Sequence, residues 1–196
     1  MGRRTVGRLR YGPIMVALLG ICGSMRTGSL NRALLRTVGE VLPAGSTFTL
    51  VPSLDLPIFN SDLGDPQAVT DLKAAIAAAD GVVFAVPEYN YSIPGGLKNA
   101  LDWCSRPPAT SPMRGKPIGI VGAAAGMSGT IRAQTHLRNI FVYSDSPVMG
   151  QPEVLIPRAH ERFNADGKLT DASTRVLLEK FGAAFVAFVQ ATARPR

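Results

Sequence analysis

Short apolar runs alternate with amphipathic segments along most of this chain, the pattern of βαβ units laid on a parallel sheet. Ile14 to Cys22 is apolar throughout, as a strand buried on both faces requires. A Gly- and Ser-rich turn leads into a predicted helix from about Ser29 to Val41, with Leu30, Ala33, Leu34, Val38 and Val41 on one stripe. Thr47 to Pro52 reads as a second, shorter strand, and Leu54, Leu56, Ile58 and Phe59 in the following loop are expected to cover one end of the core. Asp65 as N-cap, with Pro66 at the first helical position, opens a helix to about Ala79. Gly81 to Pro87 is the clearest strand, and Gly95 to Cys104 reads as a helix. Pro117 to Ala123 is a fourth strand and Gly129 to Val142 a helix. Val148 to Ile156 is a fifth strand interrupted by Gly150 and Pro152. After a polar stretch with a turn at Ala165-Asp166-Gly167, a last helix runs from about Asp171 to Thr192. Its expected inward face carries Val176, Leu177, Phe181, Ala184, Phe185 and Phe188.

Five strands alternating with five helices predict an α/β fold, a doubly wound five-stranded parallel sheet between two helical layers. The flavodoxin-like strand order 2-1-3-4-5 is preferred, because there are too few strands for the six-stranded dinucleotide-binding order.

Composition changes this picture little. The 196 residues suit one domain, expected over 14–196, and two cysteines with no C-x-x-C spacing exclude a disulfide framework or a zinc ribbon. That cysteine usage points to a reducing, cytoplasmic location. The net charge of +7 owes four units to Arg3, Arg4, Arg8 and Arg10, so residues 1–13 read as a basic, disordered extension. The body that remains carries no basic run interleaved with aromatics, which argues against nucleic acid. The apolar run after the twin arginine is too short to span a bilayer, and cleavage at Cys22 would remove the first strand, so neither a membrane segment nor an export signal is expected.

Ligands in such a sheet bind beyond the carboxyl ends of the strands, at the switch point between strands 1 and 3. Three unusual segments fall there. The first, Gly23 to Asn31, combines glycines with Ser24, Ser29 and Asn31 as short donors and Arg26 as a cation beside a helix N-terminus. This is an anion nest suited to a terminal monophosphate; it has neither the Lys-Ser/Thr of a Walker loop nor G-x-G-x-x-G. The alternative is a capped turn in which Ser29 only closes the helix. The second segment, Pro87 to Trp103, sets Tyr89, Asn90 and Tyr91 between prolines and glycines, a stiff loop able to offer donors and acceptors to the edge of a flat ring. Trp103 is expected to pack in the core or at a subunit contact. The third, Gly122 to Gly129, follows strand 4.

Gly23-Ser24-x-Arg26-x-x-Ser29-x-Asn31, followed by Pro87-Glu88-Tyr89-Asn90-x-Ser92-x-Pro94-Gly95-x-Leu97-Lys98-Asn99-Ala100-Leu101-Asp102-Trp103, resembles the NADPH-dependent FMN reductase family, which includes quinone, chromate and azo-dye reductases. A weaker similarity runs from Gly126 through Arg132-Ala133-Gln134 to Leu137-Arg138, so the resemblance covers about residues 14 to 155. It implies that Ser24, Arg26, Ser29, Leu30 and Asn31 hold the phosphate of FMN. Pro87, Glu88, Tyr89, Asn90 and Ser92 would line its ring on one side, and Ala123, Ala124 and Gly126 on the other. Ala123-Ala124-Ala125 replaces a loop that carries Ser or Gly in many relatives, leaving backbone contacts there. The implied reaction passes hydride from NADPH (or NADH) through FMN to a quinone, free flavin, azo compound or metal oxyanion in a ping-pong cycle. The family's habit implies a homodimer or homotetramer, with Arg132 and Glu153 as candidates for charge pairing across the interface.

Competing readings come from other classes. Gly126-Met127-Ser128-Gly129-Thr130 falls one glycine short of the hydrolase G-x-S-x-G, and neither His136, on a helix, nor His160, in a polar loop, has a spacing that ties it to Ser128. No His/Asp/Glu spacing supports a metal site. A flavin-bearing electron carrier or redox sensor is the main alternative. Small carrier flavodoxins tend to be acidic, and this body is mildly basic.

Overall fold

A computed structural model describes residues 15–192, so the arginine-rich extension lies outside the described residues. Strands β1 (Val16–Cys22), β2 (Ser46–Leu50), β3 (Gly81–Ala85), β4 (Ile118–Ala123) and β5 (Val154–Ile156) form one parallel sheet in the order β2-β1-β3-β4-β5, the flavodoxin-like order. The helices between them are α1 (Leu30–Glu40), α2 (Gln67–Ala78), α3 (Gly95–Cys104), α4 (Ile131–Tyr143) and α5 (Ala172–Thr192).

Alternation along the central strands divides the core in two. Val16, Leu18 and Cys22 of β1 and Val83 and Ala85 of β3 meet α1 and α5 on one face. Leu19 and Ile21, with Val82 and Phe84, point the other way onto α2, α3 and α4. Strands covered on both faces carry no polar position, which is why β3 and β4 are buried at every residue. The edge strand β2 alternates half-buried with exposed positions, and its sequence Ser-Thr-Phe-Thr-Leu alternates in step. Among the described residues no helix is long and apolar enough to cross a membrane, and both cysteines are free and buried.

Four expectations need correction. β5 is only three residues long; Val148 makes a lone bridge to Ile118, and the chain rejoins the sheet beyond Gly150 and Pro152, whose ring and missing N–H interrupt a ladder. Asp65 does not cap α2: its carboxylate takes Lys73 Nζ at 2.6 Å, and the helix begins after Pro66 without a side-chain cap. Val176 is 48% exposed, because the buried stripe of α5 runs through Thr174, Leu178, Phe181, Phe185 and Val189 and leaves residue 176 on the opposite side. Ile58 is 80% exposed. Its neighbours are held from inside, with Asn99 Nδ2 and Trp103 Nε1 donating to the Pro57 carbonyl at 2.9 and 2.8 Å and Phe59 N–H donating to Asn99 Oδ1 at 2.8 Å. The intervening side chain therefore turns outward. Trp103 itself is buried, edge-on to Phe59, as core packing requires.

Candidate active site

Parallel pairing in register brings Cys22, Ala85, Val121 and Ile156 toward the same end of the sheet, so the segments that follow β1, β3, β4 and β5 emerge side by side. Between them lies a cavity of about 770 Å³, inside the range for small-molecule and cofactor sites.

The β1 segment supplies one wall. Ser24, Arg26, Gly28, Ser29, Leu30 and Asn31 all line the cavity, Ser24 and Ser29 nearly buried and Arg26 exposed. Ser29 is the N-cap of α1; its Oγ accepts from the Arg32 N–H at 3.2 Å. The N–H groups of Leu30 and Asn31 belong to the first helical turn, which has no intrahelical acceptor for them, so this wall presents backbone donors at the positive end of a helix dipole. The capped-turn and anion-nest readings of this segment are therefore compatible: one serine closes the helix that makes the nest.

Asn31 has a different role from its neighbours. It is buried, its Nδ2 donates to the Ala123 carbonyl at 2.8 Å, and its Oδ1 accepts from the Ala123 N–H at 2.9 Å. Both halves of the amide are spent on tying the start of α1 to the end of β4.

The β3 segment forms a second wall through Pro87, Glu88 and Tyr89. Beyond them the chain reverses. Tyr89 and Ser92 exchange backbone hydrogen bonds at 2.9 Å, and the two residues between, Asn90 and Tyr91, take φ of 50° and 64°. Asn90 tolerates this left-handed conformation better than most residues. Asn90 and Ser92 belong to this turn, next to the lining residues Pro87 to Tyr89, and Ser92 Oγ lies 3.0 Å from His136 Nδ1 on α4. The carboxylate of Glu88 accepts from Arg132 Nε at 2.7 Å. Arg132 is thus paired within its own chain, with 46% of its side chain still exposed.

The third wall is Ala123, Ala124, Ala125 and Gly126, joined by Ser128. Gly122, just before it, has no room for a side chain: a Cβ there would stand 1.8 Å from Thr130 Oγ1. Backbone bonds fasten this loop to the chain after β5, from Ala124 N–H to Ile156 O at 2.9 Å, Ala159 N–H to Ala124 O at 2.9 Å and Arg158 N–H to Gly126 O at 3.1 Å. That chain then supplies a fourth wall, His160, Phe163, Asn164 and Ala165, from a stretch whose composition is that of a polar loop. The topological rule that picked out the other three segments applies equally to the one following strand 5, and Phe163, only 6% exposed, was its apolar marker.

The hydrolase reading gains no geometry. Ser128 Oγ accepts from the Thr130 N–H at 3.4 Å, His136 engages Ser92, and His160 stands beside Glu161. Among the described residues no hydrogen bond joins Ser128 to either histidine.

Comparison with known proteins agrees with this arrangement. Residues 16–161 match the family model described as NADPH-dependent FMN reductase. The chain is 45% identical over 168 residues to an NAD(P)H-dependent FMN reductase of Pseudomonas aeruginosa, covering 84% of this chain and 90% of that one. It is 44% identical over 140 residues to a quinone reductase of Escherichia coli K12, covering 69% and 74%. Among solved structures, a flavoenzyme NAD(P)H:(acceptor) oxidoreductase of Paracoccus denitrificans superposes with a TM-score of 0.83 at 35% identity, covering 90% of this chain and 98% of that one.

Proposed function

The chain belongs to the NADPH-dependent FMN reductase family, and we propose that its cavity binds FMN and serves a reductase that draws on NADPH or NADH and delivers electrons to a quinone-type acceptor. The observation that carries this reading is the wall built on α1. Ser24, the Ser29-capped helix start and the open backbone at Gly28 form a nest for a monophosphate, at one end of a cavity with ample room for a flat ring system.

The residues present suit that guest. An ideal Cβ at Gly28 or Gly126 would meet no protein atom within 4 Å, so the backbone at both places faces free space and a ligand can approach it closely. Ser24, Ser29 and the amides of Leu30 and Asn31 would hold the phosphate, with Arg26 at the mouth as its counter-ion. Pro87 to Tyr89 on one side and Ala123 to Gly126 on the other would grip the ring through backbone groups, since the alanines carry no polar side chain. FMN, when bound, supplies the two-electron chemistry between nicotinamide and acceptor, so the protein's task is to fix the ring, leave one face open and keep competing reactions out. That division of labour asks for no Ser-His or paired-carboxylate constellation in the cavity. Nicotinamide and acceptor would use the open face in turn. The chain would work as a homodimer or homotetramer, a reading that rests on the family it belongs to.

Two measurements test this. Titration with FMN and with riboflavin should show FMN bound at least about tenfold more tightly, the worth of a few charge-assisted hydrogen bonds to a phosphate. Equal affinities would remove the phosphate nest. Initial rates with varied NADPH and quinone should give parallel double-reciprocal lines; intersecting lines would mean that both substrates are bound together.

A further inference from the structure

Helix α4 starts badly for a helix. Its N-cap residue, Thr130, is held at φ 73° and makes no side-chain cap. The first N–H groups of a helix need acceptors, and a nearby carboxylate also suits the dipole. Here that carboxylate comes from a distant part of the sequence. Glu88 Oε2 accepts from the N–H of Arg132 at 3.1 Å and of Ala133 at 3.4 Å, while Oε1 accepts from Arg132 Nε at 2.7 Å and is also ion-paired with Nη2. The Glu88 side chain is 7% exposed although its residue lines the cavity.

Capping alone would be met by a serine or aspartate at position 130. A remote carboxylate does something a local cap cannot, because it fastens the loop that bears it. Two further ties from α4 reach the same loop. Arg132 lays its guanidinium over the Tyr91 ring, 4.0 Å from the centroid, and His136 Nδ1 lies 3.0 Å from Ser92 Oγ. One helix thus grips residues 88, 91 and 92 just where the chain has finished lining the cavity. Arg132 has a second consequence. An ionised, nearly buried carboxylate beside a site for an anion would repel it unless a cation and a helix N-terminus offset its charge.

We propose that Glu88 is a positioning residue. By capping α4 it holds the backbone of Pro87 to Tyr89 at the cavity wall, and Arg132 neutralises the charge that this device brings to the site. The second half of the proposal rests on the reading of the cavity as an FMN site; the first does not.

The test begins on ligand-free protein, comparing amide hydrogen exchange of the wild type with Glu88→Ala, Glu88→Gln and Arg132→Ala. Glu88→Ala should speed exchange across residues 87–92 by about tenfold or more while β1, β3 and β4 stay protected, as loss of a local tie predicts. FMN titration follows. Glu88→Ala and Arg132→Ala should each weaken binding about tenfold, and Glu88→Gln, which keeps an acceptor for the helix, by less. The double variant Glu88→Gln/Arg132→Ala should return to within about threefold of Glu88→Gln, because the uncompensated charge is gone. The proposal is overturned if Glu88→Ala only lowers the melting temperature and leaves both exchange at 87–92 and FMN affinity unchanged. It is also overturned if the double variant binds no better than Arg132→Ala. Should Glu88→Ala fail to fold, the exchange of Glu88→Gln and the double-variant comparison decide the matter. A wild type that takes up no FMN would refute the cofactor reading and the charge role, while exchange at 87–92 still decides whether Glu88 positions the loop.

Discussion

Asn31 offers a sharp test of how the site is held, because the family resemblance and the geometry assign it different work. As a phosphate ligand it would be dispensable to the empty protein; as a clamp between α1 and β4 it would not. Asn31→Ala deletes two hydrogen bonds, of 2.8 and 2.9 Å, and leaves both backbone groups of Ala123 unpaired where that residue is 5% exposed. Each bond is worth about 1 kcal/mol net, and stranded buried groups add about 1–3 kcal/mol, so an overall loss of about 3 kcal/mol is expected. For a domain of this size that is a drop of about 6–12 °C in melting temperature. Asn31→Asp keeps an acceptor for the Ala123 N–H but turns a second carboxylate oxygen toward the Ala123 carbonyl, so at neutral pH it should cost no less. Urea and thermal unfolding of the ligand-free variants measure the effect. A loss under about 0.5 kcal/mol, the range of ordinary surface substitutions, with FMN affinity the only property damaged, would refute the clamp and return Asn31 to the role of a ligand.

Gly122→Ala should destabilise by about 2–3 kcal/mol or more, since its Cβ would overlap Thr130 Oγ1 and press on Gln134 Nε2, and Thr130→Gly in the same chain should recover part of the loss in urea unfolding. Asp171 caps α5: hydrogen bonds from Thr174 and Ser173, with Arg162 adding to them, hold its carboxyl well below the usual carboxylate range. A lowered folded value means stabilisation that is fully present above the unfolded range near pH 4 and is lost as pH falls through the folded value. Asp171→Ala should therefore lower the melting temperature at pH 7, with the gap from wild type closing toward pH 2; a gap independent of pH would contradict the assignment.

The sheet order and α3 were legible because their signals are local. A short Gly-Val-Val-Phe-Ala run rich in β-branched and aromatic residues has the pattern of a strand buried on both sides, and Pro94 ahead of two glycines marks where α3 begins. Topology then placed three of the four cavity walls. What stayed hidden depends on partners far along the chain. Nothing near Glu88 shows that its carboxylate meets a helix start 44 residues on, and nothing near Asn31 shows that Ala123, 92 residues away, absorbs its amide. Residues 160–165 have the composition of a solvent loop, yet the bridge between Phe163 and Leu169 folds them back toward the cavity. The phase of α5 at Val176 is not fixed by sequence alone, because Val-Leu-Leu offers apolar side chains in every direction, and only packing selects Leu178.

The central claim is that this cavity holds FMN in a form that reduced nicotinamide can reduce. The direct measurement is the visible absorption spectrum of the purified protein, taken after reconstitution with FMN and removal of the excess, and again after anaerobic addition of NADPH. Flavin bands that travel with the protein and bleach on adding NADPH are the predicted result. Flavin that stays oxidised with both NADPH and NADH would contradict the reductase and favour an electron carrier, and a protein that retains no flavin at all would contradict the cavity's assignment.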